Sequence, residues 1–272
     1  MGKLDGKVAI VSGSGRGIGR AVALKLASDG ARVVVNDLEE STARETADAI
    51  ASLGGEAAVC AGSVTEPGFA ERFVSTALDS FGGLDIIVNN AGYTWDSVIQ
   101  KMTDEQFQAI MDVHVTAPFR ILRAAAEPFR KFAKAEAAAG REVFRKVVNI
   151  SSVSGLAGNA GQVNYAAGKA AIVGVTKTLA KEWGRYKVNV NCVAFGFIRT
   201  RMTAPIGAEG DGGAERKVGV QPAMLEHLEK NLIPLGRLGT PEEAAGGVYL
   251  FCIPESDYIS GQVITVGGGI RF

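Results

Sequence analysis

The chain has 272 residues, of which 47% are hydrophobic and 21% charged, and its 29 basic side chains match its 29 acidic ones. That length buries a substantial core, and a zero formal charge gives no basic excess for nucleic acid or an anionic membrane. No apolar run approaches membrane-spanning length, and Cys60, Cys192 and Cys252 lack metal-like spacing, so the reading is a cytoplasmic enzyme with reduced cysteines and no metal.

The apolar run over residues 7–12 leads into Gly13-Ser-Gly-Arg-Gly-Ile-Gly19 and then into helical spacing: strand, glycine turn, helix. Strands are predicted at 32–36, 56–60 and 84–88, alternating with helices over 39–53 and 67–81. This alternation predicts an α/β fold, a parallel sheet covered by helices on both faces. A long helix is expected from an N-cap at Thr103 through Ala139, its last turns an exposed, solvated extension. Beyond it come a strand at 147–150, a helix carrying Tyr165, a strand at 187–193 and a glycine-rich loop. A short helix at 222–230, a helix from Pro241 and a strand at 263–266 complete the chain.

Gly13, Gly17 and Gly19 are spaced G-x-x-x-G-x-G. Glycines let a backbone turn tightly against a pyrophosphate whose charge sits on the following helix N-terminus, which makes the turn, with Ser14, Arg16 and Ile18, a nucleotide site. Asp37 closes the second strand, where a carboxylate accepts the ribose hydroxyls and repels a 2′-phosphate. Arg16 argues the other way. Because Asp37 would lie at the ribose itself, NAD is expected and NADP disfavoured.

Tyr165 and Lys169 stand four apart on a helix and so share one face. An adjacent ammonium is expected to lower the phenol pKa toward the range of proton transfer. Ser152 ends a buried strand, at the edge where open α/β sheets bind ligands.

With the glycine turn, Asn89-Asn90-Ala91-Gly92, Ser152 and Tyr165-x-x-x-Lys169 in this order, the chain resembles the short-chain dehydrogenase/reductases over nearly its whole length. It is most similar in feel to 3-oxoacyl-carrier-protein reductases and (3R)-hydroxyacyl-CoA dehydrogenases. The resemblance implies a single Rossmann-type domain over 1–272, usually a homotetramer, acting on a small-molecule substrate. It makes Tyr165 the acid/base, Lys169 its partner and ribose ligand, and Ser152 the group that positions the substrate oxygen. Asn90, Ala91 and Gly92 then lie against the adenosine side, Ser63 and Val64 near the adenine, and Ile198 and Thr200 at the nicotinamide carboxamide.

Three positions depart from the family pattern. His114 stands where an Asn usually supports a relay to the Lys, and Pro118 cannot donate to its carbonyl, so His114 and that carbonyl are expected to replace the relay. Ser63 stands where an Asp or Asn is usual, and Phe195 replaces a Pro. Residues 203–232 resemble a substrate lid, with five glycines and with Met202, Met224 and Leu225 as an apolar lining. Tyr93 and Trp95 face the same cavity or cover the sheet end, and Arg199 and Arg201 suit an anionic tail. The alternatives are a polyol or steroid dehydrogenase of the same family and a catalytically silent nucleotide-binding scaffold.

Overall fold

Four consecutive apolar residues, Val8–Val11, form strand β1, and all four are buried, which only a central parallel strand covered on both faces permits. The computed structural model describes residues 2–203 and 222–270. After β1 come α1 (Gly17–Ser28), β2 (Arg32–Val35), α2 (Glu40–Ser52), β3 (Ala57–Val59), α3 (Phe69–Phe81) and β4 (Ile86–Asn89). They are followed by α4 (Asp104–Met111), α5 (Ala117–Ala138), β5 (Arg145–Ser152), α6 (Val153–Ala157), α7 (Val163–Trp183) and β6 (Val188–Phe195). The chain closes with α8 (Pro222–His227), α9 (Pro241–Tyr249) and β7 (Val263–Val266). The strands make one parallel sheet in the order β3-β2-β1-β4-β5-β6-β7, a Rossmann-type doubly wound fold.

Side chains alternate across this sheet. Ala9, Val11, Val33 and Val88 face a core shared with Leu26, Ile50 and Val248 of α1, α2 and α9. Val8, Ile10, Val34 and Ile87 face Phe73, Ile121, Phe129 and Trp183, from α3, α5 and α7, on the opposite side. Chain order reverses between β1 and β4, which opens a crevice at the strands' carboxyl ends.

The long helix expected from Thr103 is two helices. Thr103 caps α4 in a capping box with Gln106, but Asp112–Thr116 forms a π turn before α5 begins. There the Ala117 N–H reaches back to the Asp112 carbonyl. Pro118 has no N–H to offer His114, so the regular ladder is interrupted at this point and a wider turn is accommodated. The end of α5 is not wholly solvated either. Arg145 meets Glu136 at 2.8 and 2.6 Å and lies over Phe132, so one face of the extension is fastened to β5.

Strand β6 runs two residues further than the 187–193 predicted, pairing Phe195 with Ser152 and Val266. Phe195 is buried in the core beside Ile198; unlike a proline it keeps an N–H, so the ladder can continue. Of the lid expected over 203–232, residues 204–221, with Gly207, Gly210, Gly212, Gly213 and Gly219, lie outside the described residues. Beyond them α8 continues into a π turn, Leu228–Leu232. Leu225 packs with Leu228, Ile233 and Leu238, whereas Met224 is exposed.

Candidate active site

The glycine turn after β1 is built to let two backbones approach. Gly13 and Gly17 have φ of +61° and +55°, the left-handed region that glycine alone enters freely. Gly19, on the first turn of α1, faces the Gly13 carbonyl and the Asn90 amide. A Cβ there would overlap that carbonyl oxygen and come within 2.5 Å of Asn90 Nδ2. Asn90 fastens the turn after β4 to the turn after β1, donating to the Ser12 and Gly13 carbonyls at 2.9 and 3.0 Å. Ser12 Oγ accepts the N–H groups of Asn90 and Ala91. The two turns therefore form one rigid floor at the point where the sheet order reverses.

Ser14 does not face outward with its neighbours. It is fully buried, its hydroxyl donating to the Val11 carbonyl and its N–H to that of Asn36. A hydroxyl this close to a strand end satisfies the buried backbone first, so Ser14 braces the turn. Asn36, which the sequence reading passed over, completes the brace by accepting from the Gly13 N–H and donating to the Cys60 and Gly62 carbonyls.

Asp37 sits at the end of β2, nearly buried, with Arg16 above it. The Arg16 guanidinium lies 3.7 Å from Asp37, 3.4 Å from Glu39 and 3.2 Å from the Thr42 hydroxyl. The two residues that argued for opposite coenzymes are thus partners, and Glu39 adds a second negative charge. Ser63 is engaged locally, its hydroxyl bonding the Thr65 hydroxyl and accepting the Thr65 N–H, and Val64 is buried beside it. Across the crevice, Thr200 comes within van der Waals reach of Gly17, a Cβ there standing 3.8 Å from its methyl. Ile198 is buried and bridges to Gly239.

Ser152, Tyr165 and Lys169 meet at the carboxyl end of β5. Ser152 caps α6, accepting the Ser154 N–H, and α6 turns the chain toward α7. Gly155 lets the helices touch, since a Cβ there would fall within 2.6 Å of the Lys169 backbone. Lys169 is buried, donates to the Ile150 carbonyl at 2.8 Å and lies 5.6 Å from the Tyr165 ring centroid. Ser151 donates to the Lys169 carbonyl, fixing α7 to β5. Beneath them a buried chain runs from Asn89 to Asn149 to Thr176, an order whose only trace in the sequence is asparagine within apolar strands.

The pKa of Tyr165 departs from expectation in direction. Burial pushes the phenol up to about 12, outweighing a hydrogen bond with Ser152 that pulls it down. Removing a phenolate from water costs more here than its neighbours return. Burial also brings Lys169 down to about 8. Between that value and the ordinary lysine range the unfolded chain binds a proton that the fold does not, so stability rises with pH across that window. The melting temperature of the wild type relative to Lys169→Met is therefore expected to climb from pH 7 to pH 10. A constant difference would contradict the assignment.

His114 is buried on the π turn, its Nε2 2.8 Å from the Tyr93 carbonyl and its ring edge-on to Tyr165. Burial, then the Lys169 charge, hold its pKa well below the usual histidine range. Asn164 and Gln162, also missed from sequence, bind the wall opposite: Asn164 donates to the Trp95 carbonyl and Gln162 to Asp96.

Comparison with known proteins decides the family. A family model described as Enoyl-(Acyl carrier protein) reductase matches residues 13–271. The chain belongs to the short-chain dehydrogenase/reductase family. It is 39% identical to a 3-oxoacyl-[acyl-carrier-protein] reductase of Synechocystis sp., over 99% of each chain. It is 38% identical to a reductase of the same description from Vibrio cholerae, over 98% of each. A short-chain reductase protein, NovJ, of Streptomyces niveus is 37% identical, over 96% of this chain and 93% of its own. A solved short-chain type dehydrogenase/reductase from Mycobacterium marinum superposes with a TM-score of 0.82 at 31% identity, covering 98% of this chain and 95% of that one. A short-chain dehydrogenase/reductase is an oxidoreductase that uses a nicotinamide cofactor. Among the described residues no helix is long and apolar enough to cross a membrane, and no cluster of side chains could hold a metal.

Proposed function

We propose that this short-chain dehydrogenase/reductase reduces a 3-oxoacyl thioester, reversibly, with NAD as its coenzyme. One observation carries the reading: the Ser152 hydroxyl, the Tyr165 phenol and the Lys169 ammonium converge beside the crevice floored by the two turns. The residues fit a dinucleotide, because a side-chain-free glycine cradle at a helix N-terminus leads toward a nearly buried Asp37. Gly13, Gly17, Ile18 and Gly19 would take the pyrophosphate, Asp37 the adenosine ribose, and Ser63 and Val64 the adenine edge. Asn90, Ala91 and Gly92 would line the centre, with Ile198 and Thr200 by the carboxamide. The bound coenzyme would supply the hydride.

The chain's own groups manage the oxygen and its proton. Ser152 holds the substrate oxygen. Tyr165 donates its proton to that oxygen in reduction and takes it back in oxidation. Burial favours the first direction, since a phenol at about 12 carries its proton at neutral pH. Lys169, cationic below about 8, stabilises the phenolate left behind.

The thioester is supported by the activity named for the reductases it is similar to and by Arg201, exposed near the site and suited to an anionic tail, with Arg199 beside it 3.8 Å from Glu229. A homotetramer in the cytoplasm belongs to the same reading; exposed Leu250, Tyr258 and Ile259 near edge strand β7 favour a subunit contact there. A polyol dehydrogenase is the second reading, favoured by the Asp96–Gln162–Asn159 cluster just before Tyr165.

Following NADH absorbance with acetoacetyl thioesters, polyols and steroids separates these. Turnover confined to polyols or steroids would refute the thioester. In the same assay kcat/KM with NADH should exceed that with NADPH by about tenfold or more, one tenfold step being about 1.4 kcal/mol. The double variant Asp37→Ala/Glu39→Gln frees Arg16 for a 2′-phosphate and should narrow or reverse the ratio. A wild type preferring NADPH would sink the coenzyme assignment.

A further inference from the structure

Residues 93–97 lie between the turn after β4 and the start of α7, and several bonds fasten them. Asn164 donates to the Trp95 carbonyl at 3.0 Å, Gln162 to Asp96 at 2.8 Å, and the Ser97 N–H to the Gly161 carbonyl at 2.8 Å. All of these partners belong to the entry of α7. His114 reaches the same segment from the other side, from the π turn, through Tyr93.

A carbonyl only accepts, so His114 Nε2 must carry the proton and Nδ1 is left as a bare lone pair. Nδ1 is buried without a hydrogen-bond partner among the described residues. The ring stands at 86° to Tyr165 with centroids 5.1 Å apart, an edge-to-face contact. Its volume is accommodated by glycines. A Cβ on Gly92 would overlap Cε1 and lie 2.8 Å from Nδ1, and one on Gly168 would lie 3.2 Å from the His114 Cβ. Two elements have thus left out side chains around one imidazole, although that imidazole carries an unsatisfied buried atom.

We propose that His114 is a positioning residue that couples the 93–97 wall to the Tyr165 ring, so that substrate orientation depends on it and coenzyme binding does not. This rests on the reading of Tyr165 as the acid/base. Through its Nε2–H it fixes where Tyr93 begins the wall, and through its ring edge it fixes the plane of the phenol. The two contacts are rigidly linked because they share one planar ring. A bent or displaced wall would then move the substrate relative to a phenol that stays in place.

The two contacts can be separated by substitution. His114→Gln retains an amide donor at about the reach of Nε2, whereas His114→Phe retains the ring edge and loses the donor. With acetoacetyl-CoA as probe, His114→Gln should keep KM within about threefold of wild type. His114→Phe should raise KM about tenfold or more, because the Tyr93 carbonyl loses the His114 donor that holds it in place. NADH affinity, followed by fluorescence, should be unchanged in both. If His114→Phe does not fold, His114→Ala provides the same comparison with His114→Gln. The proposal is overturned if the donor-less variant keeps the wild-type KM. It is equally overturned if His114→Gln and the donor-less variant raise KM alike while melting as the wild type does. A wild type inert toward every carbonyl probe would instead bring down the acid/base reading itself.

Discussion

Tyr165→Phe is expected to lower kcat by about 10²- to 10⁴-fold while NADH affinity stays within about threefold, the range set by loss of a general acid. That corresponds to about 3–5 kcal/mol of transition-state stabilisation. The prediction separates chemistry from structure because the substitution removes one oxygen and leaves the ring that packs against His114 and Lys169. Burial already resists ionisation of this phenol, so replacing it with an apolar ring carries little folding cost. Melting temperature should therefore change little. Steady-state kinetics, a fluorescence titration with NADH and a thermal melt test all three parts. Near-normal turnover by a folded Tyr165→Phe would remove Tyr165 from the reaction, and with it the account of Ser152 and Lys169.

Gly19→Ala tests the floor of the crevice. Intrinsic preference alone would favour this change, since Ala in a helix is better than Gly by about 1 kcal/mol. Packing reverses the sign. The added methyl overlaps the Gly13 carbonyl and crowds Asn90 Nδ2, and neither is the free end of a flexible side chain. Overpacking of this kind costs about 1–3 kcal/mol, enough to lower the melting temperature by about 2–10 °C. The larger effect falls on the coenzyme, because opening the turn separates the floor that Asn90 holds together. NADH affinity is expected to fall about a hundredfold, equivalent to about 2.7 kcal/mol. Thermal melts with and without NADH measure both effects. A Gly19→Ala protein that binds NADH normally would show that the turn tolerates a side chain, and the pyrophosphate would have to sit elsewhere.

The sequence by itself determined the alternation of strands and helices, the parallel sheet and the choice of Ser152, Tyr165 and Lys169 as the trio proposed to react. Each rests on information local to the chain: continuous apolar runs such as Val33–Val35, an N-cap at Thr103, a four-residue step from Tyr165 to Lys169. Even β7 was placed at Val263–Val266 by pattern alone. Tertiary structure decided whatever depends on residues distant in sequence. Arg16 and Asp37 become one ion pair only when β2 lies beside the glycine turn, and Ser14 turns inward because Asn36 arrives there. The direction of the Tyr165 shift follows from burial, which the i, i+4 spacing of a helix does not encode. His114 illustrates both halves: Pro118 marks the interrupted ladder in the sequence, but the Tyr93 carbonyl and Gly92 that define the imidazole's surroundings come from another strand's turn. Local periodicity sets which elements form, whereas proton affinities and contacts at the site depend on what the fold packs against them.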